Sequence, residues 1–100
     1  MSHTIQFYEL QPGHNVLGLP TGYRVLEAGV RHRALGPSSS LYEEPGHIGV
    51  YVLADVTLTL VRAEFQVLRH VQDTLEVSGQ YDYVGSITRS SRLFVFHERA

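Results

Sequence analysis

The sequence lacks cysteine, lysine and tryptophan altogether and contains only one methionine. Without cysteine there is no disulfide framework, no thiolate zinc site and no cysteine nucleophile. Without lysine there is neither Schiff-base chemistry nor the lysine of a phosphate-binding Walker loop. All eight basic residues are therefore arginine, and the formal net charge is only −2. This balance gives no general electrostatic reason to bind nucleic acid or an anionic membrane, so we expect neither as a partner.

Long apolar runs are also missing. The longest one, at 48–61, is interrupted by Asp55, Thr57 and Thr59, and it is shorter than the roughly 20 residues of a membrane helix. The opening residues have no basic segment followed by an apolar one, so no signal peptide is expected. We predict a cytoplasmic protein.

What the chain does contain is typical of one soluble domain over residues 1–100: 43% apolar and 18% charged residues. Turn signals rich in proline, glycine and serine separate short runs of β-branched and aromatic residues. These runs predict a mainly β fold of six or seven strands, largely antiparallel, arranged as a partly open barrel or a two-sheet sandwich. A long mobile loop is predicted at 36–47.

Individual runs predict individual strands at 4–10, 15–19, 23–32, 48–54, 81–88 and 93–98. The runs at 48–54 and 93–96 are apolar on both faces, which predicts central strands, and the last two runs form a closing hairpin. On 23–32, alternation places Leu26, Ala28 and Val30 on one face. The predicted core comprises Ile5, Phe7, Val16, Leu26, Ala28, Val30, Val50, Val52, Phe65, Val67, Val84, Ile87, Leu93, Val95 and Phe96.

The segment 56–77 supports two interpretations. Strict alternation over 56–60, continued by Phe65 and Val67, favours a strand. Apolar residues at helical spacing, from Val61 to Leu75, instead favour one helix within 62–76 packed on the sheet, in an α+β fold. We favour the strand because no helix N-cap precedes a helix-length run.

Two terminal patterns carry a resemblance to a known family. One is Leu-Pro-Thr-Gly-Tyr-Arg-Val-Leu at 19–26; the other is Tyr-Val-Gly-Ser-Ile at 83–87 followed by Leu-Phe-Val-Phe-His-Glu at 93–98. The chain resembles a family of small uncharacterised β-rich proteins from tailed bacteriophages and prophages. A Thr-Gly-His-like turn that the family often carries is missing near Leu68-Arg69-His70. The resemblance implies a phage or prophage origin, and with a phage origin the host cytoplasm as the compartment. It also implies a compact β-rich domain, and it provides no catalytic residues to carry over.

No catalytic constellation stands out. The six histidines never fall two to four residues apart, so a metal site would have to assemble from distant segments. His97, on an apolar strand, is predicted to be a hydrogen-bonded core histidine. We expect no enzymatic activity, no cofactor and no bound metal.

Arginine provides the strongest sign of a binding site, because its planar guanidinium grips phosphate or carboxylate at two points. Tyrosines near the arginines could stack on a ligand or oppose an acidic protein patch, and the loop could add acidic contacts. The candidate binding residues are Arg31, His32, Arg33, Tyr42, Glu43, Glu44, Tyr81, Tyr83, Arg89 and Arg92.

These expectations lead to three hypotheses for the function of the protein. The first is a phage- or prophage-encoded binding protein, without turnover, that inhibits a host protein, protein complex or defence system. The second is a protein that sequesters a small nucleotide or signalling molecule, and the third is a structural accessory protein of the virion. A homo-oligomer is compatible with each of them.

Overall fold

A computed structural model describes residues 3–31, 47–69, 80–88 and 92–99. Every regular element in these ranges is a β-strand, which confirms the mainly β fold. The seven strands are β1 Thr4–Glu9, β2 Gly13–Pro20, β3 Arg24–Arg31, β4 His47–Ala54, β5 Leu60–Arg69, β6 Gln80–Thr88 and β7 Arg92–Arg99.

The strands form two antiparallel sheets that are not closed into a barrel, as in a sandwich. The three-stranded sheet has the order β1-β4-β3, and the four-stranded sheet has the order β2-β5-β7-β6. β4 and β7 therefore lie in the interior of their sheets, as predicted. The chain passes between the sheets at three connections, and only β3–β4 and β6–β7 pair with their neighbour in sequence.

The core lies between the inner faces of the two sheets. Alternate residues of β4 are buried from Ile48 to Ala54, and alternate residues of β5 are buried from Ala63 to Val67. Phe65 has no exposed surface. Burying a side chain of this kind contributes about 1.5–3 kcal/mol to folding. Seven predicted core residues are buried in this way: Val50, Val52, Phe65, Val67, Ile87, Leu93 and Val95.

Five predicted core residues lie elsewhere. Ile5, Val16 and Leu26 are 59%, 50% and 41% exposed, and strand alternation places Phe7 and Phe96 on the outer faces of their sheets. Leu26 is displaced by a bulge in β3, where the register shifts between Val25 and Glu27. The bulge reverses the alternation, so that Val25 packs against the core in place of Leu26.

The alternating run at 56–59 is not a strand. It forms a tight connection between β4 and β5, and the side chain of Asp55 organises this connection. One carboxylate oxygen of Asp55 accepts hydrogen bonds from the Thr57 amide at 3.0 Å and the Thr57 hydroxyl at 2.6 Å. The Leu58 amide also donates to the Asp55 carbonyl. This local hydrogen bonding outweighs the β propensity of valine, threonine and leucine.

The strand interpretation of the following segment is confirmed for Leu60–Arg69, so the helical alternative is wrong over 62–69. The remainder of that alternative, 70–76, lies outside the described residues. The predicted loop at 36–47 also lies outside them, except that His47 is the first residue of β4.

Pro20, Thr21 and Gly22, one of the proline- and glycine-containing turn signals in the sequence, form a turn. The Tyr23 amide donates to the Pro20 carbonyl at 3.1 Å, and Gly22 has φ of 78°. A positive φ at the third position is typical of a type II turn and favours glycine there. This turn leads the chain from the four-stranded sheet into the three-stranded sheet.

Within 3–31, 47–69, 80–88 and 92–99, no helix is long and apolar enough to cross a membrane.

Candidate functional site

The outer face of the three-stranded sheet carries a cleft of about 480 Å³, lined by Ile5, Gln6, Phe7, Arg31 and Tyr51. We call it the aromatic cleft. Phe7 on β1 lies directly opposite Tyr51 on β4, and their ring centroids are 5.1 Å apart with the rings inclined at 65°. Edge-to-face packing of this kind holds the two rings in fixed orientations.

Two glycines allow these rings to lie close to the sheet. A Cβ atom at Gly29 would lie 3.0 Å from Cε2 of Tyr51, and one at Gly49 would lie 2.7 Å from Cζ of Phe7. Glycine within a strand often marks such a close approach. The Gly29–Gly49 pair therefore forms a flat part of the sheet that any larger residue would fill.

The charge of the aromatic cleft comes from Arg31, the last residue of β3. None of the ion pairs formed among the described residues involves Arg31. Its partner in the strand register is His47, whose Nδ1 atom hydrogen-bonds Glu9 at 2.9 Å. Glu9, the acidic residue of β1, is thus engaged by His47, and among the described residues no carboxylate forms an ion pair with the guanidinium of Arg31.

The outer face of the four-stranded sheet carries a second surface, formed by Tyr83, Phe94, Phe96 and Arg92. We call it the aromatic patch. The Tyr83 ring lies 5.6 Å from that of Phe96 and 6.4 Å from that of Phe94, and Tyr83 is 56% exposed. Cζ of Arg92 lies 5.2 Å from the centre of the Phe94 ring, in a cation–π contact.

An acidic pair lies on the same outer face as the aromatic patch. Hydrogen bonding between the two side chains lowers the pKa of Glu64 and raises the pKa of Glu98. Glu64 Oε1 also lies 3.1 Å from His14 Nε2 and accepts a hydrogen bond of 3.0 Å from Arg62. Among the described residues, no group of three histidine, aspartate or glutamate side chains could hold a metal ion.

On the inner face, a polar contact joins two distant segments, Tyr23 and His97. The Tyr23 hydroxyl lies 2.6 Å from His97 Nε2, and the His97 ring packs 4.9 Å from the Phe65 ring. Burial lowers the pKa of His97, while the charge of Asp82 acts in the opposite direction. Burial also raises the pKa of Tyr23. His97 is thus hydrogen-bonded to Tyr23 on the inner face, in agreement with the predicted hydrogen-bonded histidine at the core.

The structure divides the candidate residues from the sequence between two surfaces. Arg31 lies in the aromatic cleft, whereas strand alternation places Tyr81, Tyr83 and Arg92 on the outer face of the four-stranded sheet. The other candidates lie outside the described residues: His32, Arg33, Tyr42, Glu43, Glu44 and Arg89.

Sequence reasoning missed Phe7 as a surface residue, since alternation alone assigned it to the core. The glycines at 29 and 49 are the signal that could have identified the cleft, because an isolated glycine in a strand pattern indicates close approach of another group.

Comparisons with known proteins identify no relative of this chain: no family model matches it, and neither does any curated protein or solved structure.

Proposed function

We propose that the protein is a phage- or prophage-encoded binding protein that acts without turnover, by occupying a host protein or protein complex and inhibiting it. The observation that carries this proposal is the aromatic patch. Tyrosine, phenylalanine and arginine are enriched at protein interfaces, and tyrosine and arginine are prominent among the residues that dominate binding energy. The lack of catalytic motifs in the sequence also favours binding over chemistry.

Tyr83 is the expected anchor of this interface. It is the most exposed ring of the patch, and contacts with Phe94 and Phe96 hold it in place. A ring that is already oriented loses little conformational freedom on binding. Arg92, positioned over Phe94, adds a guanidinium beside the rings.

The test begins with capture from host lysate and then measures affinity for the purified partner by calorimetry. Tyr83→Ala should weaken binding at least about 30-fold, because removing an anchor residue costs about 2 kcal/mol or more. Ile5→Ala is the matched control, since Ile5 has a similar exposure of 59% but lies on the other sheet. Equal affinities for wild type and Tyr83→Ala, or a larger loss with Ile5→Ala, would reject the aromatic patch as the interface.

The aromatic cleft supports a second function, sequestration of a small nucleotide or signalling molecule. Its volume of about 480 Å³ lies in the usual range for ligand sites, and it combines two aromatic rings with one guanidinium. Such a set suits a planar base that stacks on a ring and a phosphate that pairs with arginine.

A thermal-shift panel of nucleotides tests this second function. A nucleotide that binds the cleft should raise the melting temperature of the wild type, and Arg31→Ala should abolish most of that rise. Arg24→Ala serves as the control, because Arg24 is an exposed arginine at the other end of the same strand. A flat profile across the panel, or equal shifts in both variants, would exclude a nucleotide in the aromatic cleft.

A further inference from the structure

One edge of the four-stranded sheet is unpaired within the described residues, and it belongs to β2. All eight residues of β2 pair with β5 in an unbroken register, from Gly13 opposite Val67 to Pro20 opposite Leu60. No described strand pairs with the other side of β2. An unpaired edge presents a row of backbone N–H and C=O groups that can pair with another chain.

The other terminal strands have features that oppose such pairing. β3 and β6 each contain a bulge and lie against one another, so that a Cβ at Gly85 would sit 3.4 Å from Cβ of Ala28. β1 is shorter, with six residues, and ends at the charged Glu9. Bulges, short length and charge are the usual means by which edge strands avoid pairing.

β2 has none of these features. It contains no aspartate, glutamate or arginine, and its one proline, Pro20, stands at its last position. Val16 lies at the middle of the strand and is 50% exposed. On the same face, Leu60 of β5 is 62% exposed and covers Gly18, where a Cβ would meet Leu60 Cδ1 at 3.4 Å. Val16, Gly18 and Leu60 therefore form an apolar strip along the later part of β2, whereas His14 lies on the same face near its start.

We propose that β2 pairs antiparallel with β2 of a second copy of this chain, about a twofold axis close to Val16. The two four-stranded sheets then form one continuous sheet of eight strands. Antiparallel self-pairing places Val16 beside its counterpart, where cross-strand apolar pairs are stabilising, and brings no like charges together. A twofold contact of this kind closes on itself and yields a dimer rather than a filament.

A second copy suits this edge better than a peptide ligand does. Peptides that add a strand to a sheet gain their specificity from pockets for alternate side chains. Along the outer face of β2, the position beside Val16 is Gly18, and Leu60 fills the space above it. The outer face of β2 therefore offers no such recess, whereas antiparallel pairing of β2 with itself sets Val16 against Val16, as a twofold interface requires.

Sedimentation velocity on the full chain tests the proposal across about a hundredfold range of concentration, because mass action favours the dimer at the upper end. The wild type should show a species of twice the 11.2 kDa chain mass. Val16→Lys should raise the dissociation constant at least about tenfold, since it places two like charges opposite one another. Ile5→Lys introduces the same charge on the edge strand β1 and should leave the dimer unchanged.

Hydrogen exchange on the wild type gives an independent measurement that requires no variant to fold. The amides of β2 should become more protected as concentration rises, whereas those of β1 should not. Three results would overturn the proposal: a monomer at every concentration, an unchanged dimer in Val16→Lys, or dissociation caused by Ile5→Lys.

Discussion

At the scale of single residues, the contact between Tyr23 and His97 links the two sheets and is sensitive to protonation. Burial lowers the pKa of His97 below its ordinary value of 6.5, so the unfolded chain binds a proton more tightly than the folded chain does. The stabilising contribution is present above pH 6.5 and is lost as the pH falls through the folded pKa.

We therefore expect the free energy of unfolding to decrease as the pH falls below 6.5, and His97→Gln to flatten this decrease. Glutamine does not titrate, and its amide oxygen can accept a hydrogen bond from Tyr23. Urea denaturation at a series of pH values measures the effect. His14→Gln controls for the loss of one histidine from an exposed strand, and an equal flattening in both variants would contradict the role of His97.

Sequence patterns predict some residue environments well and others poorly. Val50, Val52 and Val95 were predicted as core residues because they alternate within strands that are apolar on both faces. Leu26 was assigned to the wrong face, since a bulge inserts one residue and inverts every assignment on one side of it. The sequence around Leu26 contains no residue that requires a bulge.

At the scale of strands, the glycines of β3 and β4 determine how close the aromatic rings lie to the sheet. Gly49 is the tighter position, because an added Cβ would clash with the Tyr8 carbonyl oxygen and would also lie 2.7 Å from the Phe7 ring. A backbone atom cannot rotate away, so β1 would have to move. At Gly29 the added Cβ would meet only the Tyr51 ring, which can tilt.

Gly49→Ala should therefore lower the free energy of unfolding by about 3 kcal/mol, the upper part of the usual range for overpacking. Gly29→Ala is the matched control on the neighbouring strand, and it should cost about 1 kcal/mol because a side chain gives way more easily than the backbone. Equilibrium urea denaturation compares the two. A smaller loss for Gly49→Ala than for Gly29→Ala would refute this account of the sheet.

Strand prediction is correct where the alternation of apolar residues in the sequence matches the buried face of a sheet. It is wrong where a side chain hydrogen-bonds the nearby backbone and stabilises a turn. The strands at 48–54 and 81–88 match β4 and β6 closely. At 56–59, alternating valine, threonine and leucine were assigned to a strand, whereas the Asp55 carboxylate binds the backbone of Thr57. Aspartate two residues before threonine is a sequence signal for such a turn. The alternating apolar residues around it indicate a strand instead.

At the scale of the whole molecule, the fold class was predictable and the partition into two sheets was not. The composition and the spacing of the turn signals are sufficient to predict a mainly β fold. Which strands pair depends instead on contacts between distant segments, such as β2 with β5 and β1 with β4. No local pattern encodes these pairs.

The same partition determines the candidate site. Arg31 and Tyr83 were grouped by residue type, since arginine and tyrosine together suit a ligand or a protein surface. The strand order places them on the outer faces of different sheets, and it brings Phe7 and Tyr51 to Arg31 instead. Residue type groups Arg31 with Tyr83 as candidates, whereas only the strand order determines which residues share a surface.

The passage of the chain between the two sheets has a kinetic consequence. Only two of the five strand pairings join neighbours in sequence. The remaining three require the closure of long chain segments, and the conformational entropy of that closure is lost before the stabilising contacts form. Sandwiches with such non-local pairing fold over milliseconds to seconds, far more slowly than helical bundles. The β6–β7 hairpin has a short connection, so we expect it to form early. Its β7 edge is then available for β5 to pair with.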